Sequence, residues 1–129
     1  MRRPFALLAL LALACSDPVA PTAKSVTATT DRAAYARPDT VIVTIVNDSD
    51  SPLSFLHCGT PIERRGEGAW EDVTFPNDLE ACAGLDQPIP ARSTSRPRYG
   101  IPADLSPGEY RFAASVGSVF VISNTFTVE

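Results

Sequence analysis

The sequence predicts an all-β fold, an antiparallel sandwich of about seven to eight short strands arranged as two stacked sheets. From Ser25 onward apolar and polar residues alternate over short runs, which is the period of a half-buried strand. Pro, Gly, Asn, Asp and Ser punctuate these runs at short intervals and supply the turns between them. Apolar spacing at the helical period is never sustained beyond two turns. Strands with one apolar face each bury it most simply by pressing two sheets together.

Taken in order, residues 26–30 are β-branched and polar by turns and read as a first strand. Residues 31–39 contain Pro38 and read as a bend. Thr40-Val41-Ile42-Val43-Thr44-Ile45-Val46 is the strongest strand of the chain, because β-branched side chains lose rotamer freedom in a helix and pack well on a pleated surface. It is expected at the centre of a sheet. Asn47-Asp48-Ser49-Asp50-Ser51-Pro52 follows as a turn whose side chains bond their own backbone. Residues 53–58 form the next strand, with Leu53, Phe55 and His57 on one face and Leu56 and Cys58 on the other. Residues 62–65 and 69–73 flank Gly66-Glu67-Gly68 and read as a hairpin through glycines at positive φ. Residues 76–90 lack strand formers and read as a long loop. Residues 93–101 are strand-like, but Pro97 cannot donate to a ladder and so places them at an edge. After the turn Leu105-Ser106-Pro107-Gly108, residues 109–116 direct Tyr110, Phe112 and Ala114 one way. Gly117-Ser118 turns the chain into a last strand, with Val119 and Val121 inward, a break near Ser123-Asn124, then Phe126 and Val128 inward.

The start of the chain carries a different kind of information. Met1-Arg2-Arg3 precedes an apolar run over residues 5–14 that stops at Cys15, the layout of a lipoprotein export signal. The run is too short to span a bilayer, where about 20 apolar residues are needed. Residues 1–14 are therefore expected to be removed, with Cys15 becoming the lipidated first residue. Acyl chains there would hold the protein to a membrane, each buried CH₂ contributing about 0.8 kcal/mol. Ala12-Leu13-Ala14 equally suits an ordinary secretory peptidase, which would release a soluble protein. Residues 15–24, with Pro18 and Pro21, read as the anchor and a flexible tether, and residues 25–129 as one folded domain. Both processing routes lead out of the cytosol. The expected location is the cell envelope, facing the periplasm or the exterior, and Ser16 in place of Asp after the cysteine favours the outer membrane of a Gram-negative cell.

Loss of Arg2 and Arg3 leaves nine basic residues against fifteen acidic ones, a net charge of about −6. That balance disfavours nucleic acid, whose phosphates need a basic surface. Cys58 and Cys82 remain as an even pair in an oxidising compartment and are expected to form a disulfide. Such a bridge adds about 3.5 kcal/mol on the chain-entropy account. His57, the only histidine, neighbours Cys58, but adjacent strand residues face opposite sides of a sheet, so a Cys/His dyad fails. The spacing of His57, Cys58 and Cys82 matches no zinc motif. Asp48 and Asp50 after Asn47 offer oxygen ligands in one turn, with Asp78 or Glu80 as distant complements, yet the glycine and distal glutamate of a calcium loop are lacking. Glu63, Glu67, Glu71 and Asp72 offer carboxylates without a nucleophile or phosphate loop near them. No catalytic residue, metal or cofactor is assigned. Arg92, Arg96 and Arg98 are placed on the edge strand, either as guards against sheet-to-sheet aggregation or as a docking strip for an acidic partner.

The order Val41-Ile42-Val43-Thr44-Ile45-Val46-Asn47-Asp48-Ser49-Asp50-Ser51-Pro52-Leu53, then Ile62-Glu63-Arg64-Arg65 before Trp70, then Leu105-Ser106-Pro107-Gly108-Glu109-Tyr110-Arg111-Phe112 and Ser123-Asn124-Thr125-Phe126-Thr127-Val128, resembles the bacterial immunoglobulin-like domains of surface lipoproteins. The resemblance spans nearly all of residues 25–129. It implies an immunoglobulin-like β-sandwich acting as a binding or spacer module without catalysis, its partner an envelope protein or glycan. Tyr110 after its turn looks like a tyrosine corner, with the ring in the core and the hydroxyl bonded back to the turn. Trp70 falls where such domains bury a large ring or close one end. Cys82 departs from the pattern by lying in a loop, so the bridge is expected to staple a loop and not to pin the two sheets. An alternative role is inhibition of an exported protease, with the loop at residues 76–90 presented in a fixed shape.

Overall fold

A computed structural model describes residues 25–55, 62–73 and 87–129, and they contain strands and turns but no helix. In chain order the strands are β1 (Val26–Thr30), β2 (Ala34–Tyr35), β3 (Asp39–Asn47), β4 (Leu53–Phe55), β5 (Ile62–Arg65), β6 (Trp70–Val73), β7 (Gln87–Ile89), β8 (Ser93–Ser95), β9 (Arg98–Ile101), β10 (Gly108–Val116) and β11 (Val119–Val128). One sheet is built on β3, with β1 on one side and β8 and β9 in succession on the other. The second is built on the long β10–β11 hairpin. The far side of β10 pairs first with β5 and then with β4, and β6 and β7 extend the sheet beyond them.

The architecture is the predicted immunoglobulin-like sandwich, antiparallel at every ladder but one: β2 runs parallel to β11, with Ala34 opposite Thr127 and Tyr35 opposite Val128. Eleven strands stand among the described residues, against the seven to eight that the alternation predicts. The surplus has two causes. The stretch at residues 93–101 is split into β8 and β9, and two short strands, β2 and β7, form where no alternation marks them. Proline at position 88 and glutamine at 87 are poor strand formers, and β7 exists because β4 lies beside it, Ser54 opposite Pro88.

The core lies between the sheets and is a single cluster. Val41, Val43 and Ile45 of β3 are fully buried, while Ile42, Thr44 and Val46 between them face outward and are partly covered. From the second sheet come Phe55, Ile62, Tyr110, Phe112, Val116, Val121, Phe126 and Val128. Each such side chain contributes about 1.5–3 kcal/mol on burial. Phe112 joins the layers, its ring 6.1 Å from Tyr99 of the first sheet and 5.8 Å from Phe55 of its own. Phe126 sits between Tyr35 and Tyr110, at 5.3 and 6.0 Å. A register shift between Arg111 and Ala113 is the break expected near Ser123-Asn124, and the Ser123 hydroxyl accepts from the Phe112 amide there at 3.0 Å.

Glycines act differently at the two tight turns. Gly117 has φ of 60° and starts the β10–β11 turn, as its place in the sequence predicts. Gly66 and Gly68 are not in that region, so the positive-φ hairpin expected of them is not formed. At Gly66 a Cβ would lie 2.8 Å from the exposed Glu71 carboxylate, which can swing aside, and 3.1 Å from the Ala69 carbonyl.

Side chains also hold the turn before β10. Three consecutive carbonyls are taken by three different donors: Leu105 by Arg37 at 2.6 Å, Ser106 by the Tyr110 hydroxyl, and Pro107 by Arg64 at 3.4 Å. Tyr110 therefore forms the tyrosine corner, ring buried and hydroxyl returned to the preceding turn.

Candidate functional site: an arginine-bearing sheet edge

Polar groups that look chemically interesting in the sequence divide into those consumed by the fold and those left outward. Asn47 belongs to the first kind. It is fully buried, donates through Nδ2 to the carbonyls of Ser51, Ile89 and Pro90, and accepts from the Ser49 amide and hydroxyl. It thus ties the turn after β3 to the end of β7 and cannot also serve a cation. Asp50 is held by Arg92 at 2.7 and 2.9 Å. Among the described residues no three His, Cys, Asp or Glu side chains are grouped to hold a metal ion.

A second network fixes the passage from β1 to β3. Arg32 forks onto Asp39 at 2.8 and 2.9 Å and lies over the Tyr35 ring at 4.4 Å. Asp31 accepts from the Tyr35 hydroxyl at 2.6 Å and the Ile42 amide at 2.9 Å. Burial opposes the charge on Asp31, but these bonds outweigh it and leave its pKa below the ordinary carboxylate value. The Arg32 guanidinium does the same for Asp39 and is itself raised in return. Burial, with the bond to Asp31 added, pushes Tyr35 up to about 12. The sequence gives no sign of this cluster, because its members are spread through a stretch that reads as a bend.

Of the carboxylates of the β5–β6 hairpin, Glu63 and Asp72 stand directly opposite each other on one face, while Glu71 is on the other. Glu63 is bound by Arg111 at 2.6 Å on the outer face of the second sheet, and Glu71 lies across from Arg64 on the opposite face. Trp70 is half-buried on that outer face, with the Arg111 guanidinium 4.3 Å and the Arg65 guanidinium 5.8 Å from its ring centre. Phe120 and Ile122, 58% and 45% exposed, lie further along the same sheet.

What remains outward is the edge of the first sheet. Arg92 is not part of it: it occupies the turn before β8, at φ of 55°, paired with Asp50. Arg96 and Arg98 are on the edge and exposed, with buried Pro97 between them. The ladder with β3 keeps one register across the interruption, Ile45 opposite Ser95 and Ile42 opposite Arg98, and the Val43 amide donates to the Pro97 carbonyl at 3.0 Å. Alternation in an antiparallel ladder then turns the backbone groups of Thr94, Arg98 and Gly100 away from β3. The missing N–H of Pro97 faces inward, so proline does not block the outer edge. Eight arginines stand among the described residues against eleven Asp and Glu. Six of the eight bond a carboxylate or a carbonyl. Arg96 and Arg98 are the two that do not. The register places Thr44 and Ile42 of β3 and Thr29 of β1 beside them on the outer face, and the Ile42 row ends on Asp31, whose carboxylate is taken by the Tyr35 hydroxyl and the Ile42 amide. Below the edge a cleft of about 220 Å³ is lined by Phe55, Gln87, Ser95, Arg96 and Pro97.

Cys15, His57, Cys58 and Cys82, like most of the loop at residues 76–90, lie outside the described residues. No family model and no curated protein matches the chain. Among solved structures, the ASH/PapD-like domain of human CEP192 (PapD-like domain 7) is similar over 97% of this chain and 94% of that one, at 10% identity and a TM-score of 0.41. The fold assignment above rests on strand order, register and the tyrosine corner.

Proposed function

We propose that this chain is a non-catalytic docking module, an immunoglobulin-like domain of the surface-lipoprotein type carried outside the cytosol on an acylated Cys15. The single observation that supports docking is the pair Arg96 and Arg98: exposed, adjacent along one face, and without a bonded carboxylate or carbonyl among the described residues, where the other described arginines are all engaged. A net-acidic domain that leaves two cations at one edge has there a local field opposite to its own overall charge, which steers and orients an acidic partner. The lipoprotein reading rests on the leader at residues 1–14 and the cysteine that follows it.

Two measurements test this. The mature protein purified from membranes carries a mass above that of the polypeptide from residue 15 by its acyl chains, and a mass equal to the bare polypeptide removes the anchor. A photo-crosslinking residue at position 98 captures a discrete envelope component in living cells, whereas the same residue at 127, on the second sheet, does not. Equal yields at both positions remove the assignment of the docking edge.

A further inference from the structure

Resting on the docking reading above, we infer that the β8/β9 edge takes up an extended acidic segment of a partner protein as an added strand, its carboxylates at alternate positions seated on Arg96 and Arg98. Both halves of such recognition occur on one short stretch. The backbone groups of Arg98, and those of Thr94 and Gly100 on either side, point out of the ladder and offer the hydrogen bonds of a further strand. The side chains of Arg96 and Arg98 stand two residues apart on the same outer face, opposite to buried Pro97 and Tyr99. In a paired strand, residues directly opposite share a face with their Cβ atoms about 5 Å apart. A segment with Asp or Glu at positions i and i+2 therefore sets one carboxylate beside each guanidinium. Its intervening residue points the other way, toward the cleft lined by Phe55, Gln87, Ser95 and Pro97, where an apolar side chain fits.

Charge also decides against a second copy of this chain. Antiparallel pairing of two such edges would bring arginine against arginine, which is destabilising. Among the described residues no carboxylate pairs with either arginine: their neighbours on β3 are Ile42 and Thr44, and Asp31 beyond Ile42 is already engaged by Arg32, the Tyr35 hydroxyl and the Ile42 amide. An acidic strand from elsewhere satisfies both the open backbone and the unneutralised cations.

The experiment uses the full chain and three blocked octapeptides: (Asp-Val)4, (Asn-Val)4, and (Asp-Val)4 with alternate amides N-methylated on its ladder-facing edge. Fluorescence anisotropy is expected to show binding of the first, weakened at least tenfold by the change to Asn, by N-methylation, or by R96Q/R98Q in the protein, and falling as salt rises. Because both arginines are exposed, R96Q/R98Q is expected to keep the far-ultraviolet spectrum. R96E/R98E paired with (Lys-Val)4 should restore binding. Equal affinity for the N-methylated peptide would overturn strand addition, and equal affinity of R96Q/R98Q would overturn the arginine seat. Binding of none of the peptides overturns the inference as a whole. If crosslinking at position 98 still captures a partner in that case, the docking reading stands and only the acidic-strand chemistry falls.

Discussion

At the scale of single residues, two buried polar side chains hold the ends of the sandwich. Tyr110→Phe keeps the ring in the core and removes one bond to the Ser106 carbonyl. A loss of about 1–2 kcal/mol is expected in urea unfolding. Asn47→Ala leaves the carbonyls of Ser51, Ile89 and Pro90 short of a donor in a buried place and should cost more, about 2–3 kcal/mol in the same measurement. The sequence discloses the first of these and not the second. Tyr110 follows Leu105-Ser106-Pro107-Gly108 at the spacing of a corner, a local signal. Asn47 opens a string of ordinary turn formers, and what buries it is the approach of residues 89 and 90, forty-odd positions away. Pro97 marks Arg96 and Arg98 as edge residues in the sequence, and they are on the edge, although the proline nitrogen faces β3 and costs a bond within the ladder. That they alone among the described arginines lack a bonded carboxylate or carbonyl becomes visible only once the others are located.

Among elements, β3, β10 and β11 are plain in the sequence because their alternation is strict and long, whereas β2 and β7 are made by their neighbours. β2 has two residues and no period to read. The β5–β6 hairpin is recognisable by its glycines, although neither Gly66 nor Gly68 takes the positive φ that the pattern predicts. That hairpin offers an optical handle. Trp70 is the only tryptophan, and Arg111 covers one side of its ring while holding Glu63. Arg111→Ala should shift the tryptophan emission to the red and leave Glu63 without its ion pair, a partly buried one at 20% and 15% exposure. Unchanged emission would mean that the guanidinium does not shield the indole.

The molecule as a whole is expected to be stable over a broad pH range with a loss at each end. Asp31 and Asp39 have pKa values below the ordinary 3.8, so the stability they contribute is present above that value and disappears as pH falls through their folded values. Tyr35 lies near 12 and Tyr99 and Tyr110 are also raised, chiefly by burial, from an ordinary 10.0. Their contribution is complete below pH 10 and is lost as pH climbs through the folded values. A thermal-unfolding series across pH should show a plateau between these limits. In D39N the acid fall should soften, and in Y35F the alkaline fall; identical curves would remove these groups as its cause.

The parallel alignment of β2 with β11 has a mechanical consequence. Thr30 meets Asn124, Ala34 meets Thr127 and Tyr35 meets Val128, so the opening and closing segments of the domain run side by side in the same direction. Tension applied between residues 25 and 129 drags them past each other lengthwise, and the bonds between them must rupture together instead of unzipping singly. A load applied between residues 25 and 129 therefore meets this pair in shear, the direction in which parallel strands hold best.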